Sequence, residues 1–322
     1  MMILTGAAGF IGSGLAADLL AQGHDDLVLV DDFSRADKRP NYIDKAVRVC
    51  VARDDLFAWL DEQPRDAIDC VVHLGARTDT TEFDTAIFDR LNLEYSKRLW
   101  RFCVAQQVPF FYASSAATYG AGEQGFDDHL SRLDQLQPLN PYGQSKQDFD
   151  RWVLTQPEQP PRWAGLKFFN VYGPNESHKG RMASVVYHAF HQIQQTGQMK
   201  LFRSHRPEWA DGEQRRDFIY VKDVTAVLRY LMQGQAPNDI YNLGTGQARS
   251  FLDLTRATFA AMGRKPQISF IDIPPDIRET YQYFTEARMD KLREAGYTAP
   301  FRSLEDGIAE YVQAYLVPER YW

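Results

Sequence analysis

A tyrosine and a lysine stand four residues apart in the segment PYGQSK, as Tyr142 and Lys146. Pro141 suits the first position of a helix, so we expect both side chains on one helix face. A tyrosine ordinarily has a pKa near ~10, and both a neighbouring ammonium and an oxidised nicotinamide stabilise the phenolate and lower that pKa. The pair is therefore typical of a general base that takes the proton of an alcohol.

Ser115 precedes this pair, at the end of the apolar segment FFYASS. That segment predicts a strand, and open α/β sheets present their chemistry at the carboxyl ends of strands. We expect Ser115 to donate a hydrogen bond to a substrate oxygen while Tyr142 takes its proton, and Lys146 to hydrogen-bond the ribose of a nicotinamide. Together the three residues favour hydride transfer between an alcohol and a ketone.

The segment TGAAGFIGSG has the glycine spacing of a dinucleotide-binding turn. Gly6 permits the tight turn, Gly9 lets the backbone approach a pyrophosphate, and Gly12 lets the following helix pack close to the strand. The helix N-terminus then offers free amides to the phosphates. Asp31 and Asp32 end the second predicted strand, about 20 residues further on, where a ribose-binding carboxylate belongs.

The charges after this second strand leave the cofactor open between NAD and NADP. Asp31 can bind the ribose hydroxyls and repel a 2′-phosphate, which favours NAD. Arg35, Lys38 and Arg39 follow at once, and Arg53 follows the next strand. These cations can hold a 2′-phosphate with Asp31 turned aside, or they can form no more than a solvated basic loop.

The elements that must position these residues alternate regularly through the first half of the chain. Apolar strand patterns such as DLVLVDD, AIDCVVHLGA and AGLKFFNVYG are separated by helical patterns such as SGLAADLLAQ. This alternation predicts an α/β fold, a doubly wound parallel Rossmann sheet with helices on both faces. The less regular second half predicts a smaller α/β substrate-binding lobe.

We expect two domains that interleave along the chain. Residues 1–170 plus 214–248 form the dinucleotide-binding Rossmann domain, and residues 171–213 plus 249–322 form the substrate-binding domain. The segment 214–248 thus returns to the main sheet, and the proline-rich TQPEQPPRW is the predicted linker.

Composition excludes several other classes of protein. The chain has 322 residues, of which 44% are hydrophobic, and a net charge of −7. That charge gives no support to binding of nucleic acid or of an anionic membrane surface. The three cysteines are sparse and unpatterned, which favours reduced thiols in a cytoplasmic protein. No apolar segment is long enough to span a bilayer.

The segments TGAAGFIG, YASSAATYG and PYGQSK together resemble the extended short-chain dehydrogenase/reductase superfamily, and RRDFIYVKDV and IYNLGTG resemble its later motifs. The segments TDTTEFD, FFNVYGPNESHKGRMASVVYH and YQYFTEARMDKLREAGY narrow the resemblance to the ADP-L-glycero-D-manno-heptose 6-epimerases. That resemblance implies epimerisation at C6″ of ADP-D-glycero-β-D-manno-heptose through a 6″-ketone, for the inner-core heptose of lipopolysaccharide. It also implies a nucleotide-sugar substrate, NADP as cofactor with NAD as the alternative, and a homo-oligomer, for which a pentamer is one form.

The resemblance also implies which residues meet the cofactor and the substrate. The predicted cofactor-binding residues are Gly6, Gly9, Phe10, Ile11, Gly12, Asp31, Asp32, Lys38, Arg53, Leu74, Gly75, Ala76, Asn92, Lys146 and Val171. The predicted substrate-binding residues are Ser115, Asn170, Arg181, His188, Phe202, Arg203, Ser204, His205, Arg216 and Tyr281.

Lys179, in the segment NESHKGRMAS, is implied as a second acid/base. An epimerase removes hydride from one face of a carbon and returns it to the other, so the substrate oxygen occupies two positions and one base can hardly serve both. The resemblance pairs Lys179 with Tyr142 for this reason. Without the resemblance, an exposed lysine before a helix would be the simpler interpretation. For the catalytic role, burial or nearby positive charge should lower its pKa.

Two departures from the family pattern bear on substrate recognition. Arg181 stands where the family usually has a small polar residue, and the loop SHRPEWADGEQ within 203–214 is longer than expected. His188 and His191 are three residues apart, but no further Cys, His or carboxylate cluster accompanies them, so we predict no metal site.

The sequence bears on three other functions. A 4,6-dehydratase would need an Asp–Glu pair after the serine of the strand end, where this chain has Ala116 and Ala117, which cannot donate protons. A UDP-sugar 4-epimerase of the same superfamily stays open as an alternative. So does a redox-inactive nucleotide-binding scaffold, although such proteins typically lose the Tyr–Lys pair that this chain keeps.

Overall fold

The computed structural model describes residues 1–278 and 281–322. Its strands, in chain order, are β1 Met2–Thr5, β2 Leu27–Asp31, β3 Val49–Ala52, β4 Cys70–His73, β5 Phe110–Ser115, β6 Trp163–Phe168, β7 Asn170–Tyr172, β8 Met199–Phe202, β9 Arg215–Arg216, β10 Phe218–Tyr220, β11 Asp239–Leu243, β12 Arg249–Ser250 and β13 Ile268–Ile271.

The helices connect these strands and cover the sheet. They are α1 Phe10–Ala21, α2 Leu56–Asp61, α3 Thr85–Phe88, α4 Tyr95–Gln106, α5 Pro141–Leu154, α6 Val185–Thr196, α7 Val221–Met232, α8 Phe251–Ala261, α9 Pro275–Arg278, α10 Asp290–Glu294 and α11 Leu304–Tyr311. A π-helical segment at Asp89–Glu94 joins α3 to α4, so the chain is helical without a break from α3 to the end of α4. A short 3₁₀ turn at Ser177–Met182 precedes α6.

Seven parallel strands form the main sheet in the order β11-β6-β5-β4-β1-β2-β3. The order reverses beside β1, where the crossover after β3 leads back to β4 on the other side. In doubly wound sheets the ligand binds outside the carboxyl ends of the strands at this switch point. The predicted fold class is confirmed.

Hydrophobic side chains are buried on both faces of the sheet. In β1, Leu4 packs into a layer with helices α1 and α7, whereas its neighbour Ile3 packs into a layer with helices α2, α4 and α5. Both side chains are fully buried. Because successive side chains of a strand point to opposite faces, a continuous apolar strand must be covered on two sides.

One predicted strand, AGLKFFNVYG, is two strands in the structure. β6 ends at Phe168, and β7 begins two residues later and pairs in parallel with β10 rather than with the main sheet. The backbone N–H of Phe169 donates to the carbonyl of Leu243, and the N–H of Asn170 donates to that of Asp217. The apolar pattern runs through the break because Phe169 is itself buried, so periodicity alone could not locate it.

The remaining strands form two further small sheets. β8 pairs in parallel with β13, and β9 pairs antiparallel with β12. Helices α6 and α8 pack on β8 through a separate apolar cluster that includes Ile193, Leu201 and Phe259. The segment 214–248 contributes β11, which pairs with β6. The division of the chain into two interleaved domains stays a prediction.

Candidate active site

A cleft of about 790 Å³ lies at the carboxyl ends of the central strands. That volume is in the range of small-molecule sites. The glycine turn, the ends of β2, β4, β5 and β6, helix α5 and the 177–182 turn all contribute to its wall. Its lining includes Gly6, Gly9, Phe10, Ile11, Gly12, Asp31, Asp32, Lys38, Arg53, Leu74, Gly75, Ala76, Ser115, Tyr142, Lys146, Val171 and Lys179.

The glycine turn has the geometry that its spacing predicts. Gly6 has a φ of +68°, and a Cβ placed on it would lie 2.6 Å from the backbone nitrogen of Gly75. A Cβ on Gly12 would lie 2.2 Å from the carbonyl oxygen of Gly6. Gly9 caps helix α1 without any side-chain hydrogen bond, so the first amides of the helix have no capping partner. Such an N-terminus is suited to a pyrophosphate. The residues present therefore fit a dinucleotide.

Asp31 is occupied by contacts within the protein. One carboxylate oxygen accepts from the backbone N–H of Ala8 at 2.9 Å, and the other accepts from the N–H of Asp32 and from Lys38 Nζ, both at 2.7 Å. Asp31 is buried. It therefore braces the glycine turn with the same oxygens that a ribose would need. Asp32 also lines the cleft, and its pKa is lowered, mainly by the hydrogen bond from Ser34.

The loop after β4 is held by Asn92, which is buried and is not among the residues that line the cleft. The side-chain amide of Asn92 accepts from the N–H of Arg77 at 2.7 Å and donates to the Arg77 carbonyl at 2.9 Å. It also donates to Ser145 in helix α5 at 2.9 Å. Asn92 thus fixes the backbone that presents Leu74, Gly75 and Ala76, and ties it to helix α5.

Helix α5 begins as its sequence predicts. Asn140 caps it by accepting from the N–H of Gly143 at 2.8 Å, and Pro141 occupies the first turn. Tyr142 and Lys146 therefore share one face. Burial raises the pKa of Tyr142, and a hydrogen bond with Ser115 opposes that rise.

Lys146 is buried, and its Nζ donates to the carbonyl of Ala113 at 2.9 Å. Burial lowers the pKa of Lys146 to about 8, while the carboxylate of Asp150 acts in the opposite direction. Asp150 lies one turn further along α5 and accepts from Lys167 Nζ and Ser114 Oγ, both at 2.7 Å. A buried ion pair between helix α5 and strand β6 therefore lies one turn beyond Lys146.

Lys179 lies on the 3₁₀ turn at Ser177–Met182 and is half-buried. Its ammonium is 5.1 Å from the ring centre of Phe10, which begins helix α1. Burial lowers the pKa of Lys179, and Glu176 opposes that shift. The loop is anchored by Glu176, whose carboxylate accepts from the N–H of Gly173 at 3.3 Å and from the hydroxyl of Ser184 at 2.7 Å.

The predicted substrate residues fall into two groups. Phe202, Arg216 and Tyr281 lie together: the Phe202 and Tyr281 rings are 5.7 Å apart, and the Arg216 guanidinium is 5.5 Å from the Tyr281 ring centre. Nearby, the N–H of His205 donates to the hydroxyl of Tyr283 at 3.0 Å. Ser204 and Arg203 hold their own loop through Asp211, by the Ser204 N–H and the Arg203 guanidinium.

Neither group lines the cleft described above, and among the described residues Ser115 is the one predicted substrate-binding residue in its wall. Asn170 and His188 are exposed, and the His188 ring lies 3.3 Å from the carbonyl of Arg181. The Arg181 side chain is 68% exposed and reaches across to Asp79 and Thr81 in the loop after β4. The roles of all these residues in binding substrate stay predictions.

Comparison with known proteins decides the family. Residues 2–244 match the NAD dependent epimerase/dehydratase family. The ADP-L-glycero-D-manno-heptose-6-epimerase of Fusobacterium nucleatum is 45% identical to this chain over 99% of both, and that of Nitratidesulfovibrio vulgaris is 48% identical over 98% of both. The chain belongs to the ADP-L-glycero-D-manno-heptose-6-epimerase family. The predicted resemblance is confirmed.

Solved structures agree with this family. The chain is similar to the Helicobacter pylori ADP-L-glycero-D-manno-heptose-6-epimerase, with a TM-score of 0.81 and 27% identity over 97% of this chain and 95% of that one. It also shares its fold with a UDP-N-acetylglucosamine 4-epimerase from Methanobrevibacter ruminantium, with a TM-score of 0.81 and 19% identity over 98% of each chain. A nicotinamide cofactor and a nucleotide-sugar substrate follow from membership of the epimerase family.

The cleft wall also contains residues that the sequence did not predict, and Arg77 and His178 are two of them. Arg77 lies two residues after Gly75 and lines the cleft, with its Nε atom buried and without a hydrogen-bond partner among the described residues. His178 precedes Lys179 and also lines the cleft; burial lowers its pKa to about 4. The available signals were the position of Arg77 at the carboxyl end of β4 and the position of His178 beside the candidate lysine.

Within 1–278 and 281–322, no group of three His, Cys, Asp or Glu side chains is arranged to hold a metal ion. Across the same ranges, none of the helices combines the length and apolar character required to cross a bilayer.

Proposed function

We propose that this chain epimerises C6″ of ADP-D-glycero-β-D-manno-heptose to ADP-L-glycero-β-D-manno-heptose through a 6″-ketone. One observation carries this proposal above the others. Tyr142, Lys146 and Ser115 line a single cleft together with Lys179, which stands on a separate element of the fold. Two acid/base groups that face one cavity meet the demand of an inversion, since the substrate oxygen must be served in two positions.

Each residue has a defined part in this scheme. In one direction, Tyr142 takes the proton of the 6″-hydroxyl while Ser115 donates a hydrogen bond to the same oxygen. The ammonium of Lys146 stabilises the phenolate, since opposite charge lowers a tyrosine's pKa. The bound nicotinamide cofactor supplies a hydride acceptor and donor. After the ketone turns in the cleft, Lys179 gives a proton to the oxygen in its second position. Solvent then restores the protonation states of Tyr142 and Lys179.

The lowered pKa of Lys179 supports this role. An amine with the usual pKa near ~10.4 holds its proton too firmly to exchange it readily near neutral pH. Burial against Phe10 moves the pKa of Lys179 downward, which makes both proton donation and proton removal accessible. The product would supply the inner-core heptose of lipopolysaccharide.

We propose NADP as the cofactor, with NAD as the alternative. The support is the saturation of Asp31 by backbone amides and Lys38, together with Arg35 and Arg53 in the same wall of the cleft. Removing both cations in an Arg35→Ala/Arg53→Ala variant should weaken NADP binding by about 10-fold or more, because each charge-assisted hydrogen bond contributes about 1.5–3 kcal/mol.

Titration of both nucleotides against this variant by fluorescence checks the cofactor proposal, with exposed Arg39→Ala as the matched control. NAD affinity should stay within about twofold, because NAD carries no 2′-phosphate. An equal loss of NAD and NADP binding would contradict the choice of NADP.

Cellular location and assembly are further proposals. The three cysteines are unpaired, and Cys70 and Cys103 are buried. Together with the family's nucleotide-sugar chemistry, this supports a cytoplasmic enzyme. We also propose a homo-oligomer, for which a pentamer is one form; sedimentation of the purified protein would test it.

The deciding experiment is the stereochemistry of the product. Purified ADP-D-glycero-β-D-manno-heptose is incubated with the protein, and the configuration at C6″ is followed by NMR. Appearance of the L-glycero epimer without net consumption of cofactor is expected. Inversion at C4″ of UDP-galactose, with the ADP-heptose unchanged, would instead assign a UDP-sugar 4-epimerase. Absence of any absorbance change near ~340 nm with either sugar would favour a redox-inactive scaffold.

A further inference from the structure

We propose that Trp322 and Asn175 are positioning residues for Lys179: together they lock the loop 173–184 onto helix α1, so that the amine reaches the cleft. We call residues 173–184 the Lys179 loop. The inference rests on the proposed catalytic role of Lys179, and it adds an anchor that lies far from Lys179 in the sequence.

Asn175 has the backbone conformation and the side-chain contacts of an anchor. Its φ of +75° is in the left-handed region, which asparagine enters more readily than most residues. It is 4% exposed. Its side-chain oxygen accepts from the N–H of Trp322 at 2.8 Å, and its side-chain nitrogen donates to the Trp322 carbonyl and to Ser13 Oγ, both at 3.0 Å. One amide thus joins the loop, helix α1 and Trp322.

The indole of Trp322 packs against helix α1 at Gly14 and beside Lys222. A Cβ placed on Gly14 of helix α1 would lie 2.9 Å from Cζ3 of the indole, so a larger residue there would displace the ring from this position. The Lys222 ammonium is 5.1 Å from the ring centre. The Trp322 carbonyl also accepts from Lys45 Nζ at 2.7 Å. Burial lowers the pKa of Lys45 to about 8, as expected for a lysine enclosed at such a contact.

Asn41 carries the connection from this anchor to the cofactor turn and to the residue next to Lys179. Its side-chain nitrogen donates to the carbonyl of Ala8 at 2.9 Å and to that of Asn175 at 3.1 Å. The same nitrogen is 3.2 Å from Nδ1 of His178. The N–H of Lys179 donates to the Glu176 carbonyl at 2.9 Å. Asn41 therefore links the Asn175 backbone and the His178 side chain to the glycine turn, and the Lys179 N–H bond ties residue 179 to the same loop.

The loop has little regular structure to hold it otherwise. It contains a short 3₁₀ turn that is broken by Gly180, with a φ of +53°, and a Cβ placed on Gly180 would meet no atom within 4 Å. The side of the loop at Gly180 is therefore open. A displacement of about 1 Å at a reacting group can cost about 100-fold in rate. Loss of the Trp322 anchor should thus affect the proton transfer at Lys179 more than any other step.

The scheme gives a readout that a general loosening of the fold would not reproduce. Each of the two epimers, used separately as substrate, reduces bound cofactor with a different base: one epimer uses Tyr142 and the other uses Lys179. Lys179→Met identifies the epimer whose oxidation depends on Lys179. In Trp322→Ala and Asn175→Gly, oxidation of that epimer should slow about 10- to 100-fold, and oxidation of the other epimer should stay within about twofold. Asn175→Gly keeps the left-handed backbone accessible and removes only the amide.

Matched variants complete the test. Trp322→Phe should restore most of the lost rate because it keeps an aromatic ring over Gly14. Val317→Ala, at an exposed position of the same terminal segment, should have no effect. Hydrogen exchange at the amides of 177–182 should rise in Trp322→Ala and not in Val317→Ala. This measurement needs no substrate and reports directly how firmly Trp322 holds the Lys179 loop in place.

Two outcomes would overturn the inference: equal slowing of both epimers in Trp322→Ala, or wild-type rates and exchange in that variant while Lys179→Met is inactive towards one epimer. Undiminished oxidation of both epimers by Lys179→Met would instead contradict the proposal that Lys179 is an acid/base. The two failures are thus distinguishable. Should Asn175→Gly not fold, the Trp322→Ala and Trp322→Phe pair carries the test alone.

Discussion

The two sides of the cleft are built in different ways. Tyr142 and Lys146 stand one turn apart on the 14-residue helix α5, whose inner face packs on the main sheet. Lys179 stands on a six-residue 3₁₀ turn outside that sheet, held by side chains from distant parts of the chain. One side has its geometry from regular secondary structure, and the other from tertiary contacts. We infer that the first side is rigid and tied to global stability, and that the second can be loosened without unfolding the protein.

Removing the two acid/base groups in turn gives the largest expected effect. Tyr142→Phe and Lys179→Met should each lower the rate of epimerisation by about 10²–10⁴-fold, the usual contribution of a general acid or base. The measurement is conversion of ADP-heptose followed by NMR, with cofactor binding checked separately and expected to be unchanged in Lys179→Met. Near-normal turnover in Lys179→Met would show that Lys179 is not an acid/base in this reaction.

The buried ion pair behind Lys146 tests the rigid side. Lys167 and Asp150 are 2% and 0% exposed, and their charged atoms are 2.7 Å apart. Lys167→Met leaves the Asp150 carboxylate buried without its counter-charge, so the free energy of unfolding should fall by about 3–5 kcal/mol. Chemical denaturation measures this change. The exposed pair of Arg48 with Asp26 is the matched control, and Arg48→Met should cost less than about 1 kcal/mol.

His73 tests the rigid side through pH. It is buried at the end of β4, with Nδ1 2.6 Å from Thr5 Oγ1 and Nε2 2.8 Å from Ser96 Oγ. Burial, with a smaller contribution from Lys146, lowers the pKa of His73 to about 3. The folded pKa lies below the unfolded value, so the unfolded chain binds the proton first, and stability is lost as the pH falls below about 6.5 towards 3.

His73→Gln should remove that part of the pH dependence. Between pH 6.5 and 5, the difference in unfolding free energy between wild type and variant should change by about 1.7 kcal/mol, because the slope rises from half of about 1.4 kcal/mol per pH unit at pH 6.5 to nearly the full value at pH 5. Exposed His24→Gln serves as the control and should leave the slope unchanged. A slope that is the same in wild type and His73→Gln would show that His73 takes up its proton as readily in the folded protein as in the unfolded chain, contrary to the lowered pKa.

Glu176 tests the loop side and gives the smallest expected effect. Glu176→Gln keeps the shape of the side chain but removes one acceptor oxygen from the contacts with Gly173 and Ser184. We expect a fall of about 10-fold in kcat, because Lys179 is displaced, and a loss of about 1–2 kcal/mol in stability. Exposed Glu158→Gln is the control. A loss of stability as large as that of Lys167→Met would show that the Lys179 loop contributes as much to global stability as the surroundings of helix α5.

Much of the first side could be predicted from the sequence. The glycine spacing, the two carboxylates after β2 and the Tyr142–Lys146 interval predict the turn, the sheet and the helix face, because each depends on contacts within a few residues or on a two- or 3.6-residue period. The break at Phe169 escaped prediction, since both strands on either side of it are apolar. The occupancy of Asp31 by Ala8, Asp32 and Lys38 was also beyond sequence reasoning, because a carboxylate's partners depend on the folded loop.

Local periodicity and steric limits at glycine specify the α/β class, the cofactor turn and the spacing of Tyr142 and Lys146, so these features can be derived from the amino-acid sequence. Only the tertiary structure decided where Lys179 lies, since its loop has no period and its anchors, Asn41 and Trp322, are more than a hundred residues away along the chain. Burial in the folded chain also decides which titratable groups have shifted pKa values. Whether a lysine keeps its usual pKa depends on how deeply other parts of the chain bury it.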